Sequence, residues 1–124
     1  MEKVVWIGIA GALGSLARYG VATYVQRGSN SVFPWGVFAV NMIGAFAFGF
    51  IWAYSEDHGW VNEQMRAFAL AGFLGAFTTF STFAFDNVQL ARASNWQFLL
   101  MNVVLSNAAG IALAFAGFRA GKAI

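Results

Sequence analysis

The sequence predicts an all-α membrane protein, a single domain over residues 1–124 with four transmembrane helices, the third of them broken near its middle. Three observations carry this expectation. Hydrophobic residues make up 60% of the chain and charged residues 10%, whereas an ordinary soluble domain is about 25% charged. The apolar residues gather into four stretches, each of about 20 residues or more, enough for a helix to cross the hydrocarbon core. The third stretch contains Gly75-Ala76-Phe77-Thr78-Thr79-Phe80-Ser81-Thr82-Phe83, four hydroxyl side chains set among three phenylalanines in nine residues. A span that needed only to be apolar has no use for Thr78, Thr79, Ser81 and Thr82 together, and a soluble loop has no use for Phe77, Phe80 and Phe83. The mixture marks a membrane helix interrupted at mid-depth, where irregular backbone survives only beside protein or a water-filled path.

In chain order the stretches are Val4 to Val25, Val32 to Tyr54, Ala67 to Ala91 and Trp96 to Phe118. At the start, Lys3 followed by an apolar run has the look of a secretory signal. The run continues past Arg18 to Val25, however, nearer a transmembrane length than a signal core. The connectors are Gln26 to Ser31, a longer one from Ser55 through Glu63 and Arg66, and Arg92 to Asn95. Short connectors join antiparallel neighbours, giving an up-down bundle. Pro34 falls at the start of the second helix, where its missing N–H costs little. Trp6, Trp35, Trp52, Trp60 and Trp96 lie mostly near helix ends, as interfacial tryptophans do.

Small residues form stripes on three of the helices: Gly8, Gly11, Gly14 and Ser15 on the first, Ala45 and Gly49 on the second, Ser106, Gly110, Ala114 and Gly117 on the fourth. Such stripes let helix backbones approach closely in a membrane. The first stripe has the glycine spacing of a dinucleotide-binding loop, but no strand precedes it, so that reading is rejected.

The polar side chains singled out within the spans as buried candidates are Arg18, Asn41, Asp86, Asn102 and Asn107. A charge at the bilayer centre costs from about 2.5 to well over 10 kcal/mol. Arg18 either snorkels to the interface or serves a polar path. Asn41 is flanked by apolar residues and cannot snorkel; it makes an interhelical hydrogen bond or faces a ligand. In a continuous third helix Thr79, Thr82 and Asp86 share one face, with Phe80 and Phe83 on a neighbouring face.

The chain has no cysteine, hence no disulfide framework or thiolate metal site. The net charge of +2 and the lack of a basic cluster exclude a nucleic-acid partner. His58 is the only histidine and falls in a connector, and no nucleophile, base and orienter can be assembled into an enzyme site. An up-down arrangement puts Lys3, Arg66, Arg119 and Lys122 on one side of the bilayer, with Arg27 and Arg92, plus Arg18 within its helix, towards the other. Orientation follows the Lys/Arg difference, and so small a bias favours insertion both ways. Four helices alone enclose no pore, so a homodimer is expected, antiparallel if both orientations occur.

The run Gly72-Phe73-Leu74-Gly75-Ala76-Phe77-Thr78-Thr79-Phe80-Ser81-Thr82-Phe83 resembles the third-helix signature of the Fluc (CrcB) family of small fluoride channels. The resemblance extends over nearly the whole chain, with Arg18 in the first helix, Pro34-Trp35-Gly36 opening the second, and Asn41 followed by Gly44. It implies an antiparallel, dual-topology homodimer in a bacterial or archaeal cytoplasmic membrane, exporting fluoride passively through two pores. It implies that Phe80 and Phe83 line the pores, with Asn41, Ser81, Thr82, Thr79 and Asn107 as polar groups along them and Arg18 in an electropositive vestibule. It further implies a structural sodium ion at the dimer centre, on the backbone carbonyls of Gly75 and Thr78. Asp86 stands where the family usually has glutamate and is a gating or relay candidate. Ala76 replaces the second glycine of a Gly-Gly pair, Val37 a threonine, and Asn107 and Ile111 serines of the usual polar track.

Fluoride is small and strongly hydrated, so its path must replace water with donors while holding the ion only moderately. Hydroxyls, amide N–H groups and the positive edges of phenyl rings meet that need. Two further classes compete. A proton-coupled small four-helix transporter would need Asp86 as its carrier and would dissipate a proton gradient; an assembly subunit would pass no ions when purified.

Overall fold

The computed structural model describes residues 2–124, and its regular structure is entirely helical. Helix α1 is Glu2–Gly28, α2 is Trp35–Asp57, and α6 is Trp96–Ala123. Between α2 and α6 the third span is assembled from pieces: α3 Glu63–Ala67, a π-helical stretch Phe68–Leu74, α4 Gly75–Phe77, and α5 Phe80–Arg92. Four spans are long and apolar enough to cross a membrane, and the protein is a multi-pass membrane protein.

The helices run further than hydropathy alone placed them. The first begins at Glu2 and the fourth ends at Ala123, because a helix continues through charged residues once it leaves the hydrocarbon. The second begins at Trp35 rather than Val32. The second connector is shorter than expected, since Glu63 and Arg66 are already helical. Asn62 ends it by accepting a hydrogen bond from the Met65 amide at 2.8 Å, the work of an N-cap side chain. At the other end of the bundle Gln26 closes the first connector. Its Oε1 accepts from the Gly36 amide at 2.9 Å, and its Nε2 donates to the carbonyls of Ser31 and Phe33, each at 3.2 Å.

The expected alternation of directions is present. Lys3 reaches Glu63 at 3.8 Å, and Lys122 reaches Glu56 at 3.1 Å and Asp57 at 3.0 Å. The start of α1, the second connector and the end of α6 therefore meet at one end. At the opposite end the Phe33 ring packs edge-on against Phe98, 6.0 Å between centroids.

Small residues decide which helices touch. A methyl on Gly49 would meet the Ala114 carbonyl, and one on Gly117 the Phe46 carbonyl, so α2 and α6 approach backbone to backbone. A methyl on Gly14 would strike the Phe73 carbonyl, and one on Gly72 would lie 2.7 Å from Ala10 Cβ, which seats α1 against the π-helical stretch. Gly8 meets nothing within 4 Å and takes no part in this packing. The main core cluster joins Val40 of α2 to Leu70, Leu74 and Phe77 of the third span. Elsewhere large apolar side chains such as Leu16, Leu100, Ile111 and Phe115 stand exposed, the pattern of a chain whose solvent is lipid rather than water.

Candidate functional site at the broken helix

The break is two residues long. Thr78 (φ −84°, ψ 157°) and Thr79 (φ −149°, ψ 123°) are extended between α4 and α5. The π-helical turns before it shift the register: the Gly75 amide reaches back to the Leu70 carbonyl, five residues away, as well as to Gly72. Such π-helical insertions recur at functional sites.

Backbone groups cut loose by a break need partners within protein, and side chains here pair the Thr79 amide and carbonyl and the Thr82 amide. Asn41 accepts from the Thr79 amide at 2.9 Å through Oδ1 and donates to the Thr79 carbonyl at 3.2 Å through Nδ2. Of the two readings of Asn41, the structure thus shows the interhelical bond. It leaves the second Nδ2 hydrogen uncommitted. Thr79 Oγ1 accepts from the Thr82 amide at 3.2 Å and donates to Thr82 Oγ1 at 3.1 Å. Thr79 is therefore the N-cap of α5, and not, as a continuous helix would have it, on a helical face with Thr82 and Asp86. Thr78 Oγ1 turns back to the Leu74 carbonyl at 3.0 Å. The Thr79 and Thr82 amides would serve the carbonyls of Gly75 and Thr78 in an unbroken helix. Both amides are diverted to side chains, so those two carbonyls lose their helical donors.

Gly44 makes room for this arrangement, since a Cβ there would collide with Thr78 Cγ2. Asn41, Gly44 and Phe48 lie on one face of α2 and form one wall of a cleft of about 510 Å³. Thr78, Thr79, Phe80 and Phe83 form a second wall, and Ser106, Asn107 and Gly110 of α6 a third. The Phe80 and Phe83 rings lie 5.9 Å apart and tilted by 45°, with Phe80 78% exposed. Asn107 bonds the Val103 carbonyl at 2.7 Å, which leaves its second Nδ2 hydrogen and its Oδ1 free.

The cleft thus gathers Asn41, Thr78, Thr79, Phe80, Phe83 and Asn107. The remaining candidates stand outside its lining: Ser81 and Thr82 are exposed on α5, Gly75 is exposed before the break, and Asp86 and Arg18 are half-buried. Arg18 has no ion-pair partner among the described residues. Sequence reasoning missed Asn87, whose Oδ1 accepts from Asn102 Nδ2 at 2.9 Å, while Ser106 donates to Asn102 Oδ1 at 3.1 Å. Asn102 is one of the polar residues singled out within the spans; the signal for Asn87 is a helical spacing of four from Phe83.

Fold and cleft together define a small polytopic membrane protein with a polar, aromatic-lined break midway along its third span. Comparison with known proteins gives the family. The family model described as CrcB-like protein, Camphor Resistance (CrcB) matches residues 5–118, and the chain belongs to this family. A relative from Desulforapulum autotrophicum is 43% identical over 123 residues, covering 99% of this chain and 98% of its own. One from Nitratidesulfovibrio vulgaris is 43% identical over 124 residues, covering both chains completely. One from Nitrosococcus oceani is 43% identical over 117 residues, 94% of each chain. All three are named fluoride-specific ion channel FluC.

Proposed function

We propose that the chain is a fluoride-selective channel for passive export across the cytoplasmic membrane, working as an antiparallel homodimer with two pores. The observation that carries this reading is the cleft at the break. It presents uncommitted amide hydrogens of Asn41 and Asn107 beside the Phe80 and Phe83 rings, with no Lys or Arg in its lining. A small anion leaving water needs donors and ring edges, and a fixed cation would hold it too tightly to leave. The full-length relatives named for fluoride support the choice of ion. Phe80, 78% exposed on a single chain, supports the dimer, whose second copy would cover the ring and close the cleft into a path. Ser81 and Thr82, exposed on α5, would line that path from the partner-facing side. Asp86 is absent from the cleft lining, which leaves the proton-coupled alternative without its carrier at the site.

The carbonyls of Gly75 and Thr78 fit a hard monovalent cation, since both are oxygen ligands deprived of their helical donors. They would hold a sodium ion shared between two subunits, supplying positive charge between neighbouring anion paths. Purified protein in liposomes tests the function. Fluoride efflux without a proton gradient is expected; chloride moving as readily as fluoride, or flux that requires a proton gradient, would overturn the reading.

A further inference from the structure

Helix α5 carries Phe80 and Phe83, yet Leu90 is its only buried residue. Its first turn is pinned through Thr79 to Asn41. Further along, its polar link to α6 is a short chain: Asn102 Nδ2 donates to Asn87 Oδ1 at 2.9 Å, and Ser106 Oγ donates to Asn102 Oδ1 at 3.1 Å. Asn102 is 1% exposed, so neither end of its amide has water as an alternative partner, and breaking the chain leaves a buried polar group unpaired. Asn87 follows Phe83 by four residues and Phe80 by seven, so all three lie on one face of α5. The apolar contact of Leu90 is non-directional and tolerates rotation of the helix, whereas a hydrogen bond is directional and does not.

We propose that Asn102 is a positioning residue for the anion path: through Asn87 it fixes the rotation of α5 about its own axis, and with it the direction in which Phe80 and Phe83 present their rings. This rests on the channel reading for its functional consequence but not for its structural one, and the test separates them. Asn87→Ala, Asn102→Ala and the double variant are compared with the parent protein for fluoride efflux from liposomes. In parallel, spin labels at Val88→Cys on α5 and Ile43→Cys on α2 report the helix setting. The chain has no cysteine of its own, and labelled protein is diluted with unlabelled chains so that only intrachain distances are read. Ser55→Ala is the control, a 4% exposed hydroxyl bonded to the Trp52 carbonyl near the far end of α2.

Each single variant is expected to lower efflux roughly tenfold or more, the scale on which loss of an outer contact acts at a built site. The double variant should fall no further than the worse single one, because both remove the same connection. The label distance should broaden in all three and stay sharp in Ser55→Ala with unchanged efflux. Normal efflux with a sharp distance in folded Asn87→Ala or Asn102→Ala overturns the proposal. So does a double variant whose loss equals the product of the singles, or an equal loss in Ser55→Ala. Should Asn102→Ala fail to fold, Asn87→Ala carries the same readings, its side chain being only half-buried. Should the parent protein move no fluoride, the channel reading falls, while the label distances still decide whether the tie sets α5.

Discussion

Replacing Asn41 by alanine should cost the break its internal pairing. The side chain makes two hydrogen bonds, one to each backbone group of Thr79, at 2.9 and 3.2 Å. Alanine leaves both groups unpaired, at roughly 1–3 kcal/mol for each if fully buried. Thr79 is half-buried beside the cleft, so water recovers part of this, and the expected loss is about 2–3 kcal/mol. In the opening equilibrium around Thr79 that is roughly a 30- to 150-fold change. Amide hydrogen exchange at Thr79 in detergent-solubilised protein measures it directly, because the Thr79 amide has Asn41 as its acceptor in place of the Gly75 carbonyl. Thermal unfolding gives the global counterpart. Ser81→Ala makes the comparison: the Ser81 hydroxyl is exposed, and the substitution should stay within about 0.5 kcal/mol. Thr79 exchange in Asn41→Ala within about threefold of the parent, with unchanged melting, would refute the reasoning that Asn41 holds the break open.

Three further outcomes follow from the packing and the backbone. Gly117→Ala drives a methyl into the Phe46 carbonyl, which rigid backbone cannot yield, and should destabilise by about 1–3 kcal/mol or more. Gly8→Ala, with nothing within 4 Å, should instead raise stability by up to about 1 kcal/mol, since alanine is the better helix former; thermal unfolding of the two variants checks both signs. Ser94 ends α5 at φ 58°, a left-handed conformation costly for a residue with a Cβ. Ser94→Gly should therefore raise the unfolding temperature, by an amount equivalent to about 1 kcal/mol.

The spans and the site of the break were legible in the sequence because both are written in composition. About 20 apolar residues in a row have few other uses, and Thr78 to Thr82 supply more hydroxyls than a lipid-facing helix needs. The pieces of the third span were not legible. Phe68 to Leu74 is as apolar as an α-helical run, and nothing in its residue types marks the π-helical register in which it packs against α1 at Gly14 and Gly72. Helix ends were misplaced where capping, not hydropathy, sets them: the Asn62 side chain starts the third span earlier, and Gln26 acts on Gly36 across ten residues. Residue type pointed to Asn41, Thr78, Thr79, Phe80, Phe83 and Asn107, which line the cleft, but not to the capping role of Thr79, because helical spacing assigns a face only where the helix is continuous. Asn87 was not legible because it lies four residues from the end of the expected third span, and only the fold brings Asn102 of α6 to it.

In the proposed channel the rings of Phe80 and Phe83 face the ion rather than lipid. Phe80→Ile/Phe83→Ile in one chain preserves apolar bulk, and swaps of this kind cost under about 1.5 kcal/mol each, but it removes the positive ring edges. Phe115→Ile, at a 68% exposed position on α6 outside the cleft, is the control. Fluoride efflux from liposomes is the measurement, made on protein shown by unfolding and size to be folded. Efflux should fall steeply in the double variant and stay near the parent value in the control; a folded double variant that passes fluoride normally would contradict the account.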